Sequence, residues 1–369
     1  MSSITETRTV TASEARSRIL KCFKNQRPVF LWGPPGIGKS ELVAGITEDL
    51  GGALYDLRMP LLEPTDLRGI PFYNKDTNMM DWAPPIDLPT EEDAAKYPVV
   101  VLFLDEMNAA APAVQAAGYQ LILNRQVGKY KLPKNVVIIA AGNRESDKGV
   151  TYRMPSPLAN RFLHLEVRVD FNSWQEWAVN KGIHGDVVGY LNFAKSDLFD
   201  FDPKSSSRAF ATPRTWTFAS ELLMDDDCTE AELMDLISGS VGEGTALKFM
   251  AHRKISSKMP KPTDILTGKV KDLETKEISA MYSLTINMCY ELKDFKDKMP
   301  ENVKVTWDDM ADNFFRFMMD NFTTEVVVMG ARTALTTYNL PMVPSKLKSF
   351  EEFHKRFGKY IVAAADSSR

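Results

Sequence analysis

The sequence predicts an α/β fold built on a parallel β-sheet. Three apolar runs carry this prediction, at Pro28–Trp32, Tyr97–Leu104 and Val136–Ala141. Continuous apolar runs of this length are typical of strands buried on both faces, as the strands of parallel sheets are. Helical spacing of apolar residues follows, over Ser40–Leu50 and Pro112–Asn124. Strands and helices therefore alternate along the chain, which is typical of a parallel sheet covered by helices.

The segment between the first strand and its helix is rich in glycine. GPPGIGKS, at 33–40, fits the pattern GxxxxGK[ST] of a phosphate-binding loop, in which backbone N–H groups and the helix dipole point at phosphate oxygens. We expect Lys39 to reach the β- and γ-phosphates of a nucleotide and the Ser40 hydroxyl to ligate Mg²⁺. The alternative is a turn that binds nothing. The predicted nucleotide-binding residues are Gly33, Pro34, Pro35, Gly36, Ile37, Gly38, Lys39, Ser40 and Glu41.

Polar side chains end the second and third apolar runs. Asp105 and Glu106 follow the second run, and Asn143 follows the third. The carboxyl ends of parallel strands meet at one edge of a sheet, where ligands bind. We expect Asp105 to hold Mg²⁺, Glu106 to polarise an attacking water, and Asn143 to reach the γ-phosphate or its water. Two acids at a strand end are also common as a simple solvated pair.

Composition bounds the class of protein. The 369 residues suffice for two or three packed units, and 44% hydrophobic with 25% charged residues is ordinary for a globular protein. A net charge of −4 disfavours a strongly nucleic-acid-binding surface. Three scattered cysteines indicate neither a disulfide framework nor a zinc cluster, so a reduced, cytoplasmic protein is expected. No apolar run approaches the roughly 18 to 20 residues of a membrane span.

The outer parts of the sheet are less strongly patterned. Residues 1–10 are expected to form a tail or an edge segment, and a helix should run from about Ser13 to Asn25. Ala53–Met59 is predicted to be a strand. The alternating pattern of Phe162–Val169 suggests an edge strand, on which His164 would be a half-buried residue rather than a ligand.

A proline-rich stretch at about 63–97 interrupts the core. Its turn-forming segment at 74–78 predicts a hairpin, and its prolines favour a hairpin that projects from the main sheet. Phe72, Tyr73 and Trp82 are candidates for gripping a substrate at a ring pore. The equally weighted alternative is that these aromatic side chains pack the hairpin against its own body.

The second half of the chain is predicted to be helical. Helical spacing runs through 170–259 and again through 260–369, with a linker near 258–262. The Met- and Phe-rich stretch at 314–319 is expected to be helix core rather than a partner groove. The acidic run Asp225–Asp227 is expected to be a solvated face.

Five motifs, taken in order, resemble those of the MoxR group of AAA+ ATPases. They are GPPGIGKS, LFLDEMNAAAP, IIAAGNRE, PSPLANRF and ATPRTW, within roughly residues 13–225. The resemblance implies an AAA+ core over 1–169 with a five-stranded parallel sheet, and a helical lid over 170–259. It also implies a ring, usually of six subunits, with ATP at each interface. The hairpin at 63–97 corresponds to the helix-2 insert of this group, and 260–369 lies outside the match.

The resemblance also implies roles for single residues. Asn143 takes the place of sensor 1, Arg161 that of the arginine finger supplied by a neighbouring subunit, and Arg214 that of sensor 2 on the lid. Arg153 is a rival for the finger, and Arg125 either faces the same interface or only compensates the charge of a helix end. The stretches MNAAAP and GNR depart from the usual INRA and QNP.

Together with the motifs, the resemblance implies an ATP-hydrolysing ring that remodels or activates a client protein, with a von Willebrand A-domain partner. Two alternatives stay open. The first is a nucleic-acid motor or loader, against which the acidic net charge counts. The second is a scaffold that uses nucleotide only to hold a ring together, against which the intact Lys39, Asp105 and Glu106 count.

Overall fold

A computed structural model describes residues 8–127, 130–147, 151–225, 227–274, 277–297 and 305–366. The chain divides into two compact units, Met1–Asp170 and Phe171–Arg369. The predicted lid and the predicted C-terminal region both fall within the second unit. Of the expected N-terminal tail, residues 1–7 lie outside the described residues, as does Asp226 of the acidic run.

The first unit alternates strands and helices. Its strands are β1 Thr9–Val10, β2 Val29–Trp32, β3 Ala53–Arg58, β4 Ile70–Asn74, β5 Met79–Ala83, β6 Val100–Asp105, β7 Gln126–Val127, β8 Tyr130–Lys131, β9 Val136–Gly142 and β10 Leu163–Val167. Its helices are α1 Ala12–Phe23, α2 Lys39–Asp49, α3 Pro64–Arg68, α4 Glu91–Ala95, α5 Pro112–Asn124 and α6 Ser156–Ala159. The predicted helix after the second apolar run has the bounds of α5, which begins at a proline, as helices often do.

Six parallel strands form the main sheet in the order β1-β10-β2-β9-β6-β3. The predicted α/β fold with a parallel sheet and C-terminal helices is confirmed, with six strands rather than five. The sixth strand is the two-residue β1, which pairs Val10 with Val167. The expected edge position of the last strand was wrong, because β10 lies between β1 and β2. The position of β10 was missed because β1, with two residues, is too short to show a periodic pattern in the sequence.

The sheet is covered on both faces by apolar side chains. Alternate residues of a strand point to opposite faces, so Leu31, Phe103 and Ile139 pack with α1 and α2 on one face. Leu102 and Ile138 pack with α5 on the other face. Every residue of β6 and β9 is buried. These two central strands hold the polar residues that follow them, Glu106 and Asn143, at the carboxyl edge of the sheet.

The proline-rich stretch forms a separate two-stranded antiparallel sheet of β4 and β5, as predicted. Phe72 and Tyr73 are exposed, as are Met79 and Met80 on the facing strand. Trp82 is half-buried, and the Arg68 guanidinium lies over its ring at 5.5 Å from the centroid. The three aromatic residues therefore differ in their surroundings. Trp82 packs against Arg68 at the base of the hairpin, whereas Phe72 and Tyr73 face solvent.

The second unit consists of helices and connecting segments, and its described residues form no strand. Its α-helices are α7 Phe171–Lys181, α8 Gly185–Phe193, α9 Pro213–Leu223, α10 Glu230–Val241, α11 Glu243–Ser256, α12 Pro262–Leu266, α13 Ile278–Asp297, α14 Trp307–Asn321, α15 Thr324–Arg332 and α16 Phe350–Asp366. The Met- and Phe-rich stretch lies on α14, where Phe314, Phe315 and Met318 are buried in a large apolar cluster of the second unit. The prediction that this stretch is helix core is confirmed. Among the described helices, none combines the length and the apolar composition that crossing a membrane requires.

Candidate active site

The phosphate loop, residues 33–40, joins β2 to α2. Gly38 is the N-cap of α2 with φ 89°, a left-handed conformation that favours glycine, and no side chain caps the helix. The first N–H groups of α2 thus lack a capping partner from that residue, as in helix ends that bind anions. A Cβ added at Gly33 would lie 2.8 Å from the carbonyl oxygen of Val167 at the end of β10, so this position requires glycine.

Acceptors of the phosphate loop and of Asn143 hold the Lys39 ammonium in place. Its Nζ donates to the carbonyl oxygens of Gly33 at 2.6 Å and Pro34 at 2.9 Å, and to Oδ1 of Asn143 at 3.1 Å. A phosphate bound by the loop amides would meet a cation whose position is already defined. The loop and the end of β9, predicted separately from sequence, are therefore brought together through Lys39. Glu41 lies exposed in the first turn of α2.

Ser40 and Asp105 form a hydroxyl–carboxylate pair. Ser40 Oγ donates to Oδ2 of Asp105 at 2.9 Å, and the other oxygen of the same carboxylate accepts the backbone N–H of Glu106 at 2.9 Å. Asp105 is buried, at 7% exposure. A hydroxyl and a carboxylate are the hard oxygen ligands that Mg²⁺ prefers, and Mg²⁺ commonly takes its remaining ligands from phosphate and water. The two residues fit a Mg²⁺–nucleotide site.

Glu106 has an unusual backbone. Its φ of 53° and ψ of 34° lie in the left-handed region, which few non-glycine residues adopt. It stands between β6 and a 3₁₀ turn at Met107–Ala109, and its side chain is exposed. Conformations of this kind cost free energy and occur often at functional sites. The sharp turn directs the chain away from the sheet directly after the second carboxylate.

Three of the four arginines singled out from the sequence, Arg153, Arg161 and Arg214, are exposed. Arg161 follows α6, and Arg153 lies shortly before that helix. Arg214 is the second residue of α9, whose N-cap Thr212 forms a capping box with Thr215. Within the described ranges, the side chains of these arginines form no ion pair with an acid. The proposed roles of Arg161 and Arg214 in nucleotide hydrolysis stay predictions.

Arg125 has a structural place that its sequence position did not reveal. It ends α5 with φ 52°, and its guanidinium donates to the carbonyl oxygens of Pro133 and Val136, both at 2.8 Å. Burial lowers the pKa of this guanidinium below its usual value. Arg125 thus ties the end of α5 to the start of β9, and its expected place at a subunit interface stays a prediction.

Sequence reasoning missed two further contacts near the phosphate loop. Arg144 forms an ion pair with Glu166, which joins the ends of β9 and β10. Asn108 donates from Nδ2 to the carbonyl oxygen of Asn143 at 2.8 Å. Both residues lie in the two stretches that depart from the resembled pattern, MNAAAP and GNR. Arg144 is itself a departure from the usual pattern, whereas Asn108 matches the asparagine of INRA, and neither position showed which partner the residue contacts.

The comparison with protein families fits this geometry. Residues 29–168, which carry the phosphate loop, both carboxylates and Asn143, match the family "ATPase family associated with various cellular activities (AAA)". This segment is an AAA-family ATPase domain. The match ends close to the boundary of the first compact unit, at Asp170. The finer assignment to the MoxR group does not follow from this match.

Three known proteins are similar to this chain at low sequence identity. Over 182 residues it is 29% identical to midasin of Giardia intestinalis, in an alignment that covers 47% of this chain and 4% of that protein. The Thermotoga maritima RuvB Holliday junction branch migration motor is 16% identical with a TM-score of 0.34, covering 84% of this chain and 86% of that chain. Brucella abortus NtrX in complex with ADP is 13% identical with a TM-score of 0.36, covering 95% and 70% respectively.

Proposed function

We propose that this chain hydrolyses ATP as one subunit of a MoxR-type AAA+ ring that remodels a client protein. One observation carries the proposal. Two hydrogen-bonded pairs, Lys39 with Asn143 and Ser40 with Asp105, lie at the carboxyl edge of the sheet, beside a glycine loop that opens a helix. A turn that binds nothing would not need a cation, a hydroxyl and a buried carboxylate at the same edge.

The residues divide the chemistry among them. The amides of the phosphate loop and the Lys39 ammonium bind the phosphates, and Ser40 with Asp105 would hold Mg²⁺. When bound, Mg²⁺ neutralises charge on the phosphates. Glu106 orients a water whose oxygen attacks the γ-phosphorus, while the bond from that phosphorus to the bridging oxygen breaks. ADP takes the bond electrons, and the proton of the water passes to Glu106 or to the released phosphate.

The proposed site is completed from outside the subunit. Arg161 is exposed at the end of a short helix and forms no ion pair with a described residue, which suits a group that acts on a neighbouring subunit. An arginine supplied in this way raises the hydrolysis rate by roughly 10³ to 10⁵. Arg153 is the alternative finger, and Arg214 is proposed to contact nucleotide as a sensor on the lid.

The hairpin of β4 and β5 is the proposed contact with the client. The hairpin exposes four large side chains to solvent, those of Phe72, Tyr73, Met79 and Met80. Exposed apolar area of this kind does not stabilise a monomer and is typical of a surface that binds another protein. A von Willebrand A-domain protein is the proposed partner, on the basis of the family resemblance alone.

The test is ATP turnover as a function of protein concentration, measured together with particle mass. We expect specific activity to rise as the chain assembles. The Glu106→Gln variant should bind ATP and assemble while losing about 10² to 10⁴ in turnover. Arg161→Ala should assemble without hydrolysing. Arg153→Ala, the variant of the alternative finger, should assemble and hydrolyse ATP, and the opposite result would assign the finger to Arg153. Turnover that is independent of concentration and unchanged in Arg161→Ala would contradict a shared site, and normal turnover in Glu106→Gln would remove Glu106 from its role.

A further inference from the structure

Asn108 is a buried amide beside the proposed active site. It is 3% exposed, and its Nδ2 donates to the backbone carbonyl oxygen of Asn143 at 2.8 Å. The side chain of Asn143 in turn accepts from the Lys39 ammonium at 3.1 Å. Asn108 is therefore one residue removed from the group that faces the phosphate loop, and it does not itself contact Lys39 through any described hydrogen bond.

The orientation of this amide is determined by its surroundings. Its Oδ1 is buried without a hydrogen-bond partner and lies against Gly142, where an added Cβ would overlap the carboxamide. Exchanging the nitrogen and oxygen would place Oδ1 against the carbonyl oxygen of Asn143, which has no proton to donate. Burying an unpaired oxygen is unfavourable, so an aliphatic residue would serve better if Asn108 only filled space.

Asn108 also sits on the turn that follows the two carboxylates. This 3₁₀ turn, Met107–Ala109, is bonded to Glu106 through the N–H of Ala109, at 2.8 Å from the Glu106 carbonyl oxygen. The carbonyl oxygen of Asn108 accepts from the N–H of Tyr152 at 2.7 Å. One residue thus links the ends of β6 and β9 with the segment that precedes α6.

We propose that Asn108 is a positioning residue for Asn143. Its carboxamide fixes the backbone of Asn143, and thereby the direction in which the Asn143 side chain meets Lys39 and the γ-phosphate. The inference rests on the proposed ATPase function. It differs from that function in predicting a selective effect: Asn108 acts on nucleotides that carry a γ-phosphate, and only through Asn143.

Binding measurements on the full chain test this. In Asn108→Ala, the affinity for the non-hydrolysable analogue AMP-PNP should fall about two- to tenfold, the effect of one hydrogen bond, while the affinity for ADP stays within about twofold. ATP turnover should fall through kcat at least as much. The double variant Asn108→Ala with Asn143→Ala should be no weaker than Asn143→Ala alone, because residues that act in series are not additive.

Gln115 supplies a matched control. It is also a buried amide, with Nε2 donating to the Ala110 carbonyl oxygen at 3.0 Å and Oε1 unpartnered, but it lies on α5 and has no described bond to Asn143. Gln115→Ala should lower stability and leave the ratio of AMP-PNP to ADP affinity unchanged. Asn108→Asp keeps the shape but sets a carboxylate oxygen against the Asn143 carbonyl, so it should lower the AMP-PNP affinity further than Asn108→Ala.

Several outcomes would overturn the proposal. Equal losses of AMP-PNP and ADP affinity in Asn108→Ala, or full additivity with Asn143→Ala, mean that Asn108 is only structural. Should Asn108→Ala fail to fold, Asn108→Ser is measured in the same way. If the wild type binds both nucleotides without hydrolysing ATP, the proposed function fails, whereas the affinity ratio still decides the role of Asn108.

Discussion

The carboxyl edge of the sheet in the first unit and the helical core of the second unit are built differently. At the sheet edge, Lys39, Ser40 and Asp105 satisfy one another or nearby carbonyl groups, and Glu106 adopts a left-handed backbone. In the second unit, α13 and α14 bury long apolar side chains such as Met288 and Phe314, both fully buried. The sheet edge presents polar groups that a ligand can bind, whereas the helical core is dominated by apolar packing.

This difference separates the expected effects of substitution. Removing a packed side chain leaves a cavity that the surroundings fill only in part, so the free energy of unfolding falls. Removing a polar group at the sheet edge loses few apolar contacts, so ligand affinity changes more than stability. Substitutions in the helical core should therefore change mainly the free energy of unfolding, and substitutions at the sheet edge should change mainly the affinity for nucleotide.

The largest expected effect is that of Phe314→Ala on the second unit. Deleting a fully buried Phe should lower the free energy of unfolding by about 3–5 kcal/mol. Trp307, whose indole N–H donates to the Leu292 carbonyl oxygen at 2.8 Å, is a local fluorescence reporter for denaturant titration. Phe218→Ala, at a Phe that is 47% exposed on α9, is the matched control. A loss of ATP affinity in folded Phe314→Ala would contradict the expectation that the helical core affects stability and not nucleotide binding.

Lys39→Ala should have the next largest effect, on binding rather than on folding. Loss of a charged hydrogen-bond donor to phosphate is worth about 1.5–3 kcal/mol, so ATP affinity should fall roughly 10- to 150-fold. The unfolding free energy should change by less than about 1 kcal/mol. Isothermal titration calorimetry and denaturant titration give the two quantities. Lys248→Ala, which removes an exposed lysine paired with Asp197, should leave both unchanged.

Glu106→Asn tests the left-handed backbone. Asn tolerates this conformation better than Glu, so the variant should be more stable by about 0.5–1 kcal/mol while it binds ATP and does not hydrolyse it. Thermal unfolding in the absence of nucleotide measures the gain. Glu106→Gln removes the same charge without the same backbone preference. An equal gain in stability in Glu106→Gln would show that the loss of charge, and not the relief of backbone strain, stabilises both variants.

The smallest expected effect on stability is that of the double substitution Phe72→Ala with Tyr73→Ala. Both side chains are exposed on the hairpin, so the unfolding free energy and the ATPase rate without client should stay within about 0.5 kcal/mol and about twofold. Trp82→Ala, which removes the ring beneath the Arg68 guanidinium, should cost more stability. Unfolding of the double variant would show that these aromatic side chains pack the hairpin instead of gripping a client.

Much of the first unit could be predicted from the sequence, because its motifs and periodic patterns lie within short stretches of the chain. The phosphate loop depends on glycine and lysine within eight residues, and β6 and β9 are apolar runs that end in polar residues. The helix α5 was predicted with its observed bounds because a proline begins it and periodic apolar residues continue it. The burial of Phe314 and its neighbours on α14 followed in the same way from periodicity.

By itself, the sequence determined the strand–loop–helix order, the residues at the carboxyl edge of the sheet and the helical nature of the second half. Only the tertiary structure decided that Thr9–Val10 adds to the sheet beside β10, that Arg125 donates to Val136, and that Asn108 bonds Asn143. The physical reason is separation along the chain. Periodicity and turn chemistry act over neighbouring residues. The hydrogen bond from Asn108 to Asn143 joins residues 35 positions apart, and it exists only once β6 and β9 have paired.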